Sequence, residues 1–139
     1  MLTSKQALAR FGDPTTEKSM VVWQVPKALQ FDHIPKKIYC NKHMTGPLEQ
    51  ALKNVKDRGL ESQIRTWDGC FNIRRKRGAM SSSLHSWGLA IDINAAWNGF
   101  GKKPTMSDEL VACFTDAGFD WGGNWERADG MHFQLARLP

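Results

Sequence analysis

The chain has no apolar stretch long enough to cross a bilayer, and Met1-Leu2-Thr3-Ser4-Lys5 does not lead into the apolar run of a secretion signal. No membrane span is expected, and the cytoplasm is the expected place of synthesis. Cysteine is scarce: Cys40, Cys70 and Cys113 are widely spaced, odd in number and form no C-x-x-C pair. That argues against a disulfide framework. None of the three lies beside a histidine at ligand spacing, so reduced, partly buried thiols are expected. Internal repeats, low-complexity tracts and interdomain linkers are absent, and 139 residues read as one domain with a single core. There is no helix-turn-helix signature, zinc-finger spacing or aromatic RNP pattern, so no nucleic-acid partner is expected.

What is present is an ordinary globular composition with a net charge of +5. Lysine and arginine concentrate in Arg74–Arg77, Lys36–Lys37 and Lys102–Lys103, a distribution that suits an anionic partner and weakens as salt rises. Ser4 to Arg10 reads as a short helix with Ser4 as its cap and Gly12 past its end. Met20 to Val25 reads as a strand stopped by Pro26, and Leu60 to Arg65 as another. Leu48, Ala51, Leu52 and Val55 have helical spacing between Pro47 and Gly59. Met80 to Ser83 is a small-residue loop, and Asn98 to Thr105 is a second loop. Ser107 caps a helix that has Asp108 and Glu109 in its first turn. Helices early and strands late indicate an α+β fold with a small, largely antiparallel sheet.

Two distant segments carry the chemistry. In Leu89-Ala90-Ile91-Asp92-Ile93-Asn94 the apolar side chains alternate with Asp92 and Asn94; in Met131-His132-Phe133-Gln134-Leu135 they alternate with His132 and Gln134. Each segment therefore reads as a strand that buries one face and raises a polar residue on the other. Taken singly, each also reads as an ordinary half-exposed strand. Taken together they bring Asp92 and His132 to one place. His85 comes from the loop before the first strand, with Gly88 permitting a tight turn. Two imidazoles and a carboxylate suffice to hold a catalytic Zn²⁺ with a position left for water. Asp129, three residues before His132, can take a proton from that water. This set points to a metal-dependent hydrolase.

The run S-x-H-x-x-G-x-A-x-D at residues 83–92, followed by D-x-x-H-F at 129–133, closely resembles the zinc D-Ala-D-Ala carboxypeptidase/L-alanyl-D-glutamate peptidase family. The nearest likeness is to its phage endolysin branch, which carries aspartate at the D-x-x-H position. Asp68-Gly69-Cys70-Phe71-Asn72-Ile73-Arg74 and Phe119-Asp120-Trp121-Gly122-Gly123-Asn124-Trp125 agree with it, so the resemblance covers roughly residues 45 to 135. It implies a hedgehog/DD-peptidase-like fold and a monomeric peptidase that cuts the peptide stem of bacterial peptidoglycan. By position it implies His85, Asp92 and His132 as zinc ligands, Asp129 as general base, and Arg74 as the cation facing the substrate carbonyl or carboxylate. Ser83 either orients substrate or caps its turn.

Gln134 stands where several relatives carry an acid. The chain ends at Pro139, a few residues past the second motif, so no separate cell-wall-binding domain is expected. Without a secretion signal, release to the wall would need a separate holin-like protein. Endopeptidase and carboxypeptidase activities stay open, as does a non-catalytic zinc-stabilised module that binds peptidoglycan or a protein. The six tryptophans divide: Trp87, Trp121 and Trp125 flank the motifs, with Trp121 assigned to the core and the other two open between core and cleft. His33 and His43 have no motif around them and are taken as surface or structural.

Overall fold

A computed structural model describes residues 1–76 and 81–139. Among the described residues, three α-helices accompany two antiparallel sheets in an α+β arrangement. Helix α1 (Ser4–Phe11) begins one residue earlier in its cap than the sequence suggested: Thr3, not Ser4, is the N-cap, and Thr3 and Gln6 form a reciprocal capping box. Strand β1 (Met20–Gln24) pairs with β2 (Lys37–Asn41), with Met20 opposite Asn41 and Gln24 opposite Lys37. Helix α2 (Thr45–Asp57) buries Leu48, Ala51, Leu52 and Val55 on one stripe, as their spacing required.

The expected strand over Leu60–Arg65 is a single 3-10 turn, Glu61–Gln63. The reason lies downstream. The backbone N–H groups of Arg65 and Thr66 donate to Asn94 Oδ1 at 2.7 and 3.2 Å, so a side chain rather than a strand ladder satisfies them. Regular pairing starts only at β3 (Trp67–Gly69).

The second sheet runs in the order β3-β4-β6-β5, with β4 spanning Ala90–Ile93, β5 Phe119–Trp121 and β6 His132–Leu135. Its neighbours are all antiparallel. Helix α3 (Asp108–Thr115) starts at Ser107, whose hydroxyl accepts from the Leu110 amide at 3.1 Å. Ile91, Ile93 and Phe133 are fully buried. Phe114 of α3 lies 4.7 Å from the Phe133 ring centroid and 6.0 Å from that of Phe119, so an aromatic cluster fills this side of the sheet. The opposite face, bearing Asp92, His132 and Gln134, is not open to water as a half-exposed strand would be. His85 of the turn Leu84–Trp87 packs against Asp92 and His132, the Leu2 carbonyl meets Gln134, and His132 and Gln134 are about 5% exposed.

The loop expected over Met80–Ser83 and the basic run Arg74–Arg77 fall partly outside the described residues. On either side, Arg75 bridges Ser82 in antiparallel fashion and the Ser83 amide donates to the Arg74 carbonyl at 2.8 Å. Among the described residues no helix is long and apolar enough to cross a membrane. Cys40, Cys70 and Cys113 are free and buried.

Candidate metal centre and cleft

Adjacent strands set the first two functional side chains. In the β4–β6 register Asp92 lies opposite His132, so two side chains from residues forty apart in sequence rise together on one face of the sheet. His85 arrives from the one-turn helix Leu84–Trp87. Ser83 opens that turn by accepting the His85 amide hydrogen at 3.3 Å, and Gly88 closes it in the left-handed region at φ 65°. A Cβ at Gly88 would sit 2.7 Å from the Asn41 amide nitrogen, so the glycine is required both by conformation and by space.

The three side chains converge. His85 Nε2 lies 3.2 Å from Asp92 Oδ2, His132 Nδ1 lies 3.6 Å from Asp92 Oδ1, and the two imidazole nitrogens face each other at 3.3 Å. One ligand atom from each falls within 4.8 Å of the others, the only such grouping of His, Cys, Asp and Glu among the described residues. His33 and His43 take no part in it.

The outer nitrogens fix which atoms point inward. His85 Nδ1 donates to the Cys70 carbonyl at 2.7 Å, which leaves its Nε2 as a bare lone pair toward Asp92. His132 Nε2 donates to Gln134 Oε1 at 2.9 Å, which leaves its Nδ1 bare toward the same carboxylate. Two lone pairs and a carboxylate facing one another repel unless a cation sits among them. Asp92 Oδ1, buried in the middle, has no hydrogen-bond partner among the described residues. Burial raises the Asp92 pKa, and the histidines bring it below the usual carboxylate range only as N–H donors or cations, a role that falls to a bound cation once their lone pairs point inward. A nitrogen–nitrogen–oxygen donor set of two imidazoles and a carboxylate fits Zn²⁺.

A cleft of about 500 Å³ opens beside this cluster, lined among others by Arg74, Ser83, Trp125, Asp129, His132 and Gln134. Asp129 is half-buried on the turn before β6; its amide donates to the Gly122 carbonyl at 2.9 Å and its carbonyl accepts from the His132 amide at 3.1 Å. Arg74 is 29% exposed and lies 3.8 Å from Asp92 Oδ2, placing its cation between the carboxylate and the cleft. Its backbone is pinned by Ser86, whose hydroxyl accepts from the Arg74 amide and donates to the Arg74 carbonyl. Ser83 thus caps its turn and lines the cleft at once.

The tryptophans sort by geometry. Trp121 stacks on Phe133 and donates to the Gly130 carbonyl, a core position. Trp87 is also buried and donates to the Gly12 carbonyl at 2.8 Å. Trp125 instead lies 5.2 Å from the His132 ring and faces the cleft.

Sequence reasoning missed three contributors. The carbonyls of Cys70 and Leu2 leave no trace in a pattern of side chains. Gly122 carried a faint signal in the pair Gly122-Gly123: a Cβ there would meet the Asp129 carbonyl oxygen at 2.5 Å and the His132 Cβ at 3.3 Å.

Residues 77–135 match the family model for D-alanyl-D-alanine carboxypeptidase. The match supports a peptidase. It spans under half of the chain but includes Ser83, His85, Asp92, Asp129 and His132, with Arg74 lying outside it. Neither the curated proteins nor the solved structures include a match to this chain.

Proposed function

We propose that this chain is a zinc-dependent peptidase of the peptide stem of bacterial peptidoglycan, built as a single domain of the hedgehog/DD-peptidase-like fold. The observation that carries the reading is the convergence of His85 Nε2, the Asp92 carboxylate and His132 Nδ1, with both outer imidazole nitrogens already engaged. In this reading those three residues hold the ion. When bound, Zn²⁺ supplies Lewis acidity, lowering the pKa of a coordinated water toward ~7 and polarising the scissile carbonyl. Asp129 accepts the proton of the attacking water and delivers it to the leaving amine. Arg74 binds the negative charge of the substrate, as a carboxylate or as the developing oxyanion. Ser83 orients the peptide at the cleft wall, and Trp125 packs against it.

The aspartate in D-x-x-H favours the endolysin-type endopeptidase, which opens the bond between L-Ala and D-Glu. A second reading, removal of the terminal D-Ala, is favoured by the description of the matching family. Defined muropeptides separate them by mass: a new D-Glu amino terminus identifies the endopeptidase, and loss of D-Ala alone identifies the carboxypeptidase. Absence of both products from zinc-loaded protein would overturn the peptidase reading in favour of a binding module.

A further inference from the structure

The N-terminal segment reaches the metal centre. Leu2 is buried, and the capping box at Thr3 fixes the chain where it passes from Leu2 into α1. At the far end of the same helix the Gly12 carbonyl accepts from Trp87, two residues past His85. Just before the first of these anchors the Leu2 carbonyl points at Gln134 and accepts from its Nε2 at 3.0 Å. Gln134 is 4% exposed, and its Oε1 is the acceptor for His132 Nε2.

A carboxamide has one accepting end and one donating end. A backbone carbonyl can only accept, so the Leu2 carbonyl dictates that the amide group of Gln134 turns its nitrogen outward and its oxygen to His132. The oxygen in turn requires a hydrogen on His132 Nε2. Were the amide reversed, its N–H would meet the imidazole N–H tautomer that the cluster needs, and Nδ1 would be left to carry the proton. Resting on the metal-site reading above, we propose that the N-terminal segment is a positioning part of the metal centre. The Leu2 carbonyl, relayed through Gln134, holds His132 in the Nε2–H tautomer that presents Nδ1 to the ion. Determinants of metal affinity thus include residue 2, remote in sequence from the family match at 77–135.

The test uses the full chain and two substitutions. Gln134→Met keeps the volume but removes both hydrogen bonds, whereas Gln134→Glu keeps an acceptor for His132 without needing the Leu2 carbonyl to orient it. Long-range proton–nitrogen NMR on metal-free protein, well above the ordinary imidazole pKa of ~6.5, reads the tautomer directly. Zinc affinity is read by competition with a chelator. The unsubstituted chain should show His132 as the Nε2–H tautomer. Gln134→Met should show a mixture and bind zinc roughly 10- to 100-fold more weakly. Gln134→Glu should recover the tautomer and most of the affinity. A His132 Nδ1–H tautomer in the unsubstituted chain overturns the proposal. So does unchanged tautomer and zinc affinity in Gln134→Met. Should Gln134→Met not fold, the unsubstituted chain and Gln134→Glu decide alone. Neither readout involves turnover, so a chain that binds zinc as described yet cleaves no wall peptide would fail the functional reading and leave this one standing.

Discussion

Asp92 and His132 occupy directly opposed positions on the antiparallel strands β4 and β6, and their side chains rise on the face away from the aromatic core. The register matters because strand side chains alternate: a slip of one residue would send Ile91 or Phe133 into the metal centre and Asp92 into the core. The buried apolar residues therefore set the geometry of the candidate ligands as well as the stability. Phe133→Ala, which empties a fully buried site against Phe114, should cost about 3–5 kcal/mol in denaturant unfolding. A cost below ~1 kcal/mol would mean that the aromatic cluster does not anchor this sheet.

Asp129 and His132 lie on one turn and are assigned different work, so their substitutions should part company. Asp129→Ala is expected to keep stoichiometric zinc and lose about 10²- to 10⁴-fold in turnover, the usual contribution of a positioned base. His132→Ala is expected to lose zinc and turnover together. Metal analysis beside a muropeptide assay distinguishes them, and full activity in Asp129→Ala would remove it as the base.

Gly122 tests whether spacing alone positions these groups. It donates no side chain, yet a methyl group would press on the Asp129 carbonyl and the His132 Cβ. Gly122→Ala should therefore reduce zinc affinity and turnover with all three ligands intact, while Gly118→Ala, beside which a Cβ meets no atom within 4 Å, acts only through its φ of 106° and should lower stability without a specific loss of zinc. Equal zinc affinities in both would show that the 122–129 turn is not tightly constrained.

The fold class and the meeting of Asp92 with His132 were both legible because alternation in two short segments named the strands, the buried faces and the opposed polar residues at once. Asp92 and His132 are polar interruptions in apolar runs, and His85 precedes a glycine whose positive φ the turn needs. What stayed hidden depends on backbone atoms. The Leu60–Arg65 segment has strand-like composition, but Asn94 from a distant turn captures the amides of Arg65 and of Thr66 just after it. The capping role of Thr3, the Cys70 carbonyl behind His85 and the Leu2 carbonyl behind Gln134 likewise arise from partners far along the chain. The burial of Gln134 beside Leu2 follows from where the N-terminal segment docks, which local periodicity does not encode.

The thiols give a pH prediction. Burial pushes Cys40 up to about 12 and raises Cys70 and Cys113 as well. A thiol in the unfolded chain ionises near ~8.5. Because the folded-state values are the higher ones, this contribution to stability is complete below ~8.5 and is lost as pH rises toward about 12. Unfolding free energy measured across that window should fall. A thiol reagent near pH 8 should label none of the three cysteines until denaturant is added. Rapid labelling of the folded chain would contradict the burial described.

The most direct test is digestion of purified Gram-negative peptidoglycan by zinc-loaded protein, with metal-stripped protein as the control and mass spectrometry of the released fragments. The account predicts new stem-peptide termini that appear only with metal and return when zinc is restored to the stripped sample. Fragments released equally with and without metal, or none from protein shown to carry zinc on a range of wall chemistries, would contradict it.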